Sequence, residues 1–224
     1  MYEKEIEEFK SKTQFTMDEL CLLIKILRCE NGCPWDREQT HESIVKDFIE
    51  ETYEVVEAIE KADPDMLCEE LGDVLLQVAF HAVLAEEEKT FELSDAVNGV
   101  CRKMVERHPH VFGNVEADTT EKVLTNWDKI KAETKKQETL YDRLTAVPKT
   151  LPALMQGQKL IHRAEKYGEK VPTGKYDFST ETNPEKAVAE QLWALLSAAD
   201  KTGIDAETAL RHYSEKFVTA HEKN

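Results

Sequence analysis

Glycine and proline are scarce, at 8 and 7 of 224 residues. That is too few for the many tight turns of a β-sandwich and favours helices. Basic residues are outnumbered: 29 Lys and Arg against 45 Asp and Glu leave a net charge of −16. A chain that grips a nucleic-acid backbone by electrostatics needs the opposite balance. Nucleic acid is therefore not an expected partner, and any phosphate ligand must meet a local basic cluster or a metal ion. Cysteines are few and odd in number (Cys21, Cys29, Cys33, Cys68, Cys101), which excludes a disulfide scaffold and fits reduced thiols in the cytoplasm. Cys29 and Cys33 stand four apart, but no second pair follows to complete a zinc site. Long hydrophobic runs are missing too. The most apolar stretch, Val74 to Ala85, is broken by Gln77 and His81 and is too short to cross a bilayer. The opening MYEKEIEEFKSK is charged and mostly acidic, unlike a targeting segment. Glycine-rich phosphate loops, dinucleotide fingerprints and nucleophile elbows are all absent. The expectation is a soluble cytoplasmic protein without a membrane partner.

What is there reads as helix. Hydrophobic residues make up 41% of the chain, enough for a core, and no segment alternates as a half-buried strand does. A first helix runs from about Met17 to Leu27, opened by Thr16 with Glu19 three residues on, a capping-box pattern. The loop CENGCPWD, Cys29 to Asp36, holds Gly32 and Pro34 and is expected to be irregular. Further helices cover about His41 to Lys61, Met66 to Glu87, a segment after Ser94 (read as an N-cap) to Arg107, and Thr120 to residue 136. Two prolines in TLYDRLTAVPKTLP, residues 139–152, mark a boundary. The organisation expected is therefore all-α: a catalytic domain at 1–138, a linker at 139–152, and a smaller helical region at 153–224.

The chemistry gathers on the second and third of these helices. EETYE (Glu50 to Glu54) lies on one, and Glu70 and Asp73 open the other. On a helical wheel Glu51 and Glu54 fall at the edge of the apolar arc, and Glu50 lies further round. The third helix is apolar over almost its whole circumference, the mark of a buried helix. Its polar exceptions Glu70, Asp73, Gln77 and His81 form a single seam. In an antiparallel hairpin the four acids Glu51, Glu54, Glu70 and Asp73 can meet. Like charges ~4 Å apart repel by ~4 kcal/mol at an effective dielectric near 20, so their convergence calls for a counter-ion. Carboxylate oxygens suit Mg²⁺ or Mn²⁺, which also take phosphate oxygens. Spacing alone leaves a solvated acid cluster as the other reading. Lys103 and Arg107, and Trp127 and Lys131, are i, i+4 pairs. Singly they read as a solvated pair and a core indole; beside a metal site they make a phosphate and nucleotide clamp. His41 and His81 are isolated in sequence.

GCPWDREQTHESI (Gly32 to Ile44), EETYE, EELGDVLLQVAFHA (Glu69 to Ala82), KMVERHPHVFG (Lys103 to Gly113) and NWDKIKAE (Asn126 to Glu133) together resemble the MazG-type nucleoside triphosphate pyrophosphohydrolases. The resemblance implies an all-α nucleotide pyrophosphohydrolase bundle assembled as a homodimer. It also implies Mg²⁺ dependence (Mn²⁺ as substitute) and cleavage of a nucleoside triphosphate to monophosphate and pyrophosphate. Glu51, Glu54, Glu70 and Asp73 fall on the metal ligands, with Glu50 or Glu51 as catalytic base. Lys103, Arg107, Trp127 and Lys131 fall on substrate-binding positions. The tail departs from the pattern: Leu151 to Gly168 resembles the start of a second such domain, but Gln191 and Ala194 stand where acids are expected. That region reads as degenerate, with chemistry confined to the first half. Two rivals are a pyrophosphohydrolase restricted to one nucleotide, such as dUTP or phosphoribosyl-ATP, and a non-catalytic nucleotide- or protein-binding module.

Overall fold

The computed structural model describes residues 2–135, 137–169 and 177–222, and every regular element among them is a helix. The chain divides into two compact units, Met1–Val105 and Glu106–Asn224.

In the first unit α1 (Glu3–Ser11), an acidic helix not foreseen from the sequence, precedes α2 (Met17–Arg28). The capping box of α2 forms as expected: Thr16 accepts from the Glu19 amide, and the Glu19 carboxylate accepts from the Thr16 amide. The CPWD loop is more regular than expected. Pro34, with its φ preset and no amide proton to satisfy, opens a short helix α3 (Pro34–Glu38). Helix α4 (Val45–Lys61) begins four residues later than the apolar pattern suggests, after a turn at residues 41–44. It ends at Ala62, whose left-handed backbone (φ 52°) reverses the chain. Asp63 then caps α5 (Pro64–Glu87), accepting from the amides of Asp65 and Met66. A connection this short forces α4 and α5 into an antiparallel hairpin, and α2 packs against α5 as well. The core joins Ile24, Ile44, Ala79, Phe80, Val83 and Leu84. It rests on the C-terminal half of α5. The N-terminal half is not buried all round as its composition implies: Leu71 is 47% and Leu75 50% exposed. Helix α6 (Leu93–Arg107) starts ahead of Ser94, which lies inside its first turn and caps nothing; the Asp95 carboxylate accepts from the Glu92 amide instead.

The second unit holds α7 (Pro109–Phe112), α8 (Thr120–Thr134), α9 (Leu140–Thr145), α10 (Ala153–Lys166), α11 (Pro184–Lys201) and α12 (Ala206–Thr219). Its core joins Leu144, Val147, Leu160 and Ala164, flanked by Leu140, Leu151, Phe217 and Val218. Residues 139–152 are therefore no linker. Their two prolines punctuate a segment whose apolar side chains are central to this core, and the division of the chain falls earlier, at the end of α6. At the starts of α11 and α12, Asn183 and Asp205 accept from the Lys186 and Thr208 amides. Helix α11 buries none of its residues, and Trp193 is 76% exposed.

Candidate functional site

The α4–α5 hairpin sets the acids. On α4, Glu51 and Glu54 are one turn apart, so both project toward α5. On α5, Glu70 and Asp73 repeat that spacing. One oxygen each from Glu51, Glu70 and Asp73 come within 4.8 Å of one another. Glu54 lies within carboxyl–carboxyl hydrogen-bonding reach of Glu51 and Glu70. Glu70 is nearly buried, Glu51, Glu54 and Asp73 are half-buried, and Glu50 points to solvent outside the cluster.

The electrostatics follow from this crowding. Removal from water raises the Glu51 carboxyl above the ordinary glutamate value, and Asp73, Glu54 and Glu70 push it further. Glu70 is raised for the same reasons, by loss of water first and then by Glu54, Glu69 and Asp73. No cation of the protein neutralises Glu51, Glu70 or Asp73 among the described residues. The donor set, hard oxygens at close range with surplus negative charge, fits a small divalent cation. One turn beyond Asp73, the buried Gln77 Oε1 has no hydrogen-bond partner among the described residues.

The seam continues to His81, and here the structure adds what the sequence hid. His41 and His81 are not isolated. Their Nδ1 atoms lie 2.8 Å apart and their rings stack at 5.1 Å with 6° between planes. Phe48 packs on His81, and the Glu88 carboxylate stands 3.7 Å from His41 Nε2. Burial, then the neighbouring imidazole, holds His81 below the ordinary histidine value.

The expected substrate-binding residues divide. Lys103 is exposed on α6 in the first unit. Arg107, Trp127 and Lys131 belong to the second, where they share one neighbourhood. The buried Arg107 guanidinium sits 5.2 Å from the Trp127 ring centre, and the His108 ring meets that indole edge-on at 5.0 Å. Lys131, one turn along α8 from Trp127, is pushed below the usual lysine range by burial, then by Arg163, Lys135 and Arg107. Gln191 and Ala194 are exposed on α11, which offers no acid pair at i, i+3 spacing.

Comparison with known proteins agrees with this geometry. Residues 39–112 match the MazG nucleotide pyrophosphohydrolase domain. The chain is 36% identical over 220 residues to an Escherichia coli protein named nucleoside triphosphate pyrophosphohydrolase, covering 90% of this chain and 84% of that one. A Thermotoga maritima protein named nucleoside triphosphate pyrophosphohydrolase/pyrophosphatase MazG is 36% identical over 219 residues, 92% of this chain and 84% of the other. A Bacillus subtilis protein, YabN, is 49% identical over 138 residues, and there the match spans 62% of this chain but only 28% of the relative. With the acid pairs, the helical hairpin and this near-full-length similarity in hand, the chain belongs to the MazG nucleotide pyrophosphohydrolase family.

Proposed function

We propose that this chain hydrolyses nucleoside triphosphates to the monophosphate and pyrophosphate, with Mg²⁺ as its cofactor and Mn²⁺ as a substitute. The observation that carries the reading is the meeting of Glu51, Glu70 and Asp73 oxygens within 4.8 Å, uncompensated by any cation of the protein among the described residues. Glu51, Glu54, Glu70 and Asp73 are the assigned ligands, and a divalent ion held by them supplies charge neutralisation at phosphate oxygens and acidifies water. The chain's own groups do the rest. Glu50 or Glu51 is the proposed base for an attacking water; Glu51 lies in the cluster, whereas Glu50 points to solvent. Lys103, Arg107 and Lys131 offer cations to phosphate oxygens, and the Trp127 indole offers a face to a nucleobase. The active form is a homodimer in the cytoplasm. Nucleic acid is no substrate for a surface of charge −16.

A panel of nucleoside triphosphates, assayed for pyrophosphate release with and without Mg²⁺, tests the reading. Metal-dependent release of pyrophosphate with monophosphate supports it, and turnover of a single nucleotide narrows it to a restricted enzyme. Nucleotide binding without turnover favours the non-catalytic module.

A further inference from the structure

In the second unit α8, α10 and Arg143 of α9 line an open cavity of about 130 Å³. Lys131, Arg143, His162, Arg163 and Lys166 line it, and Asp128 is its single carboxylate. The Asp128 charge is already taken, because Lys166 pairs with it. No carboxylate stands within ion-pairing distance of Lys131, Arg143 or Arg163 among the described residues. Other buried or half-buried cations of the chain do find carboxylates, as Lys25 with Glu86 and Arg28 with Glu87. Here four fixed positive charges face one negative one.

Two further observations say that the surplus is built in. Arg143 is held with its guanidinium 5.4 Å from the Tyr167 ring centre, and its Nε is buried without a hydrogen-bond partner. A buried guanidinium donor left unmade costs free energy that a bound acceptor returns. Arg163 is tied to the same place by donating to the Arg143 carbonyl. Burial lowers both Lys131 and Arg163; Arg163, Lys135 and Arg107 lower Lys131 further, while on Arg163 the attraction of Asp128 works against burial and Arg143 adds to it.

We propose that this cavity is an anion site that takes a phosphoryl group. A carboxylate brings one charge and leaves most of the surplus uncompensated. A phosphoryl group brings about −1.5 to −2 and three acceptor oxygens, and guanidinium forks suit those oxygens in pairs. The site shares Lys131 with the substrate-binding assignment and adds Arg143, Arg163 and Lys166. Two sources carry this chemistry: free pyrophosphate, and the polyphosphate tail of a nucleotide.

The test is calorimetric titration of the full chain with inorganic pyrophosphate in the presence of EDTA, in wild type, Arg143→Gln, Arg163→Gln and Lys166→Glu. Saturable binding to wild type is expected, weakening as salt rises, with a loss of about tenfold or more in each variant. Arg143→Lys retains part of the affinity. Lys166 is exposed, so its variant keeps the fold and decides the matter if an arginine variant does not. Repeating the titration with a nucleoside triphosphate on the Glu70→Gln chain separates the sources. Losses shared by both ligands assign the polyphosphate tail, and a loss for pyrophosphate alone assigns the free ion. Absence of saturable pyrophosphate binding at millimolar concentration, or equal affinity in wild type and the folded variants, overturns the proposal. All of this is read without metal or turnover, so failure of the hydrolase reading leaves it untouched, and the reverse.

Discussion

Glu70 concentrates the logic of the acid cluster in one side chain. It is nearly buried and its carboxyl is raised by lost water and by Glu54, Glu69 and Asp73, so in the metal-free protein its charge opposes folding. Glu70→Gln keeps the shape and removes the charge. The metal-free variant is expected to melt at or above the wild-type temperature, while pyrophosphate release falls about 100-fold or more and Mg²⁺ no longer raises the melting temperature. Near-wild-type turnover in this variant removes the metal site. His81 gives the pH dependence. Its folded pKa is depressed, so the unfolded chain binds the proton more readily below the ordinary value of 6.5. The contribution of His81 is thus present above 6.5 and lost as pH falls through it toward the folded value. Urea unfolding of wild type between pH 5 and 8 should show this loss, and His81→Gln should flatten it. An identical slope in the variant refutes it. Gly32 is a steric case. A Cβ there would sit 2.2 Å from the Leu27 carbonyl oxygen and 2.5 Å from that of Ile26, both rigid backbone atoms. Gly32→Ala is expected to cost about 1–3 kcal/mol in chemical denaturation.

At the scale of elements, whatever depends on neighbours in sequence was legible. Thr16 with Glu19, Asn183 before Pro184, and Asp205 each announce a helix start because a cap bonds an amide two or three residues away. The acid seam was legible for the same reason, since i, i+3 spacing puts Glu51 with Glu54 and Glu70 with Asp73 on common faces. Ser94 misled because Asp95, one residue on, is the better acceptor. The His41–His81 pair was invisible because nothing in sequence joins residues so far apart. Residues 139–152 misled because prolines report on backbone and not on whether the side chains between them are buried. Arg28 is the clearest omission. It reads as a routine C-terminal cation of α2, yet it grips Glu87 at 3.0 and 2.8 Å, bonds the Asp36 and Gln39 carbonyls, and lies 5.4 Å from the Phe80 ring centre. It thereby fastens α3 to the body of the first unit. Arg28→Met leaves the Gln39 carbonyl and the Glu87 carboxylate without their partner and should cost about 1–3 kcal/mol in urea unfolding. It should also speed proteolysis within residues 29–40, and protection equal to wild type refutes the tether.

The molecule as a whole shows more apolar side chains to solvent than a lone chain of this kind should. Along α4, Val45, Ile49, Tyr53 and Val56 recur at three- and four-residue spacing and are exposed; along α5 so are Leu71 and Leu75. Scattered exposed apolar residues are ordinary, but aligned stripes on two packed helices are the kind of surface a partner protein covers, which supports the proposed homodimer. The helices that carry these stripes also carry the four acids, so a covering copy of the chain would stabilise the hairpin that sets the metal ligands. This is the physical ground for a homodimer as the active form. A second exposed stripe, Leu192, Leu195 and Leu196 on α11, allows the pairing surface to be located. Light scattering should give twice the 25.7 kDa chain mass. Ile49→Glu and Leu75→Glu should each shift it to a single chain and lower turnover with it, while Leu195→Glu leaves both unchanged. Dissociation by Leu195→Glu alone moves the interface to α11. A wild-type protein that scatters as one chain and stays fully active on dilution overturns the dimer, and the α4–α5 stripes then need another occupant.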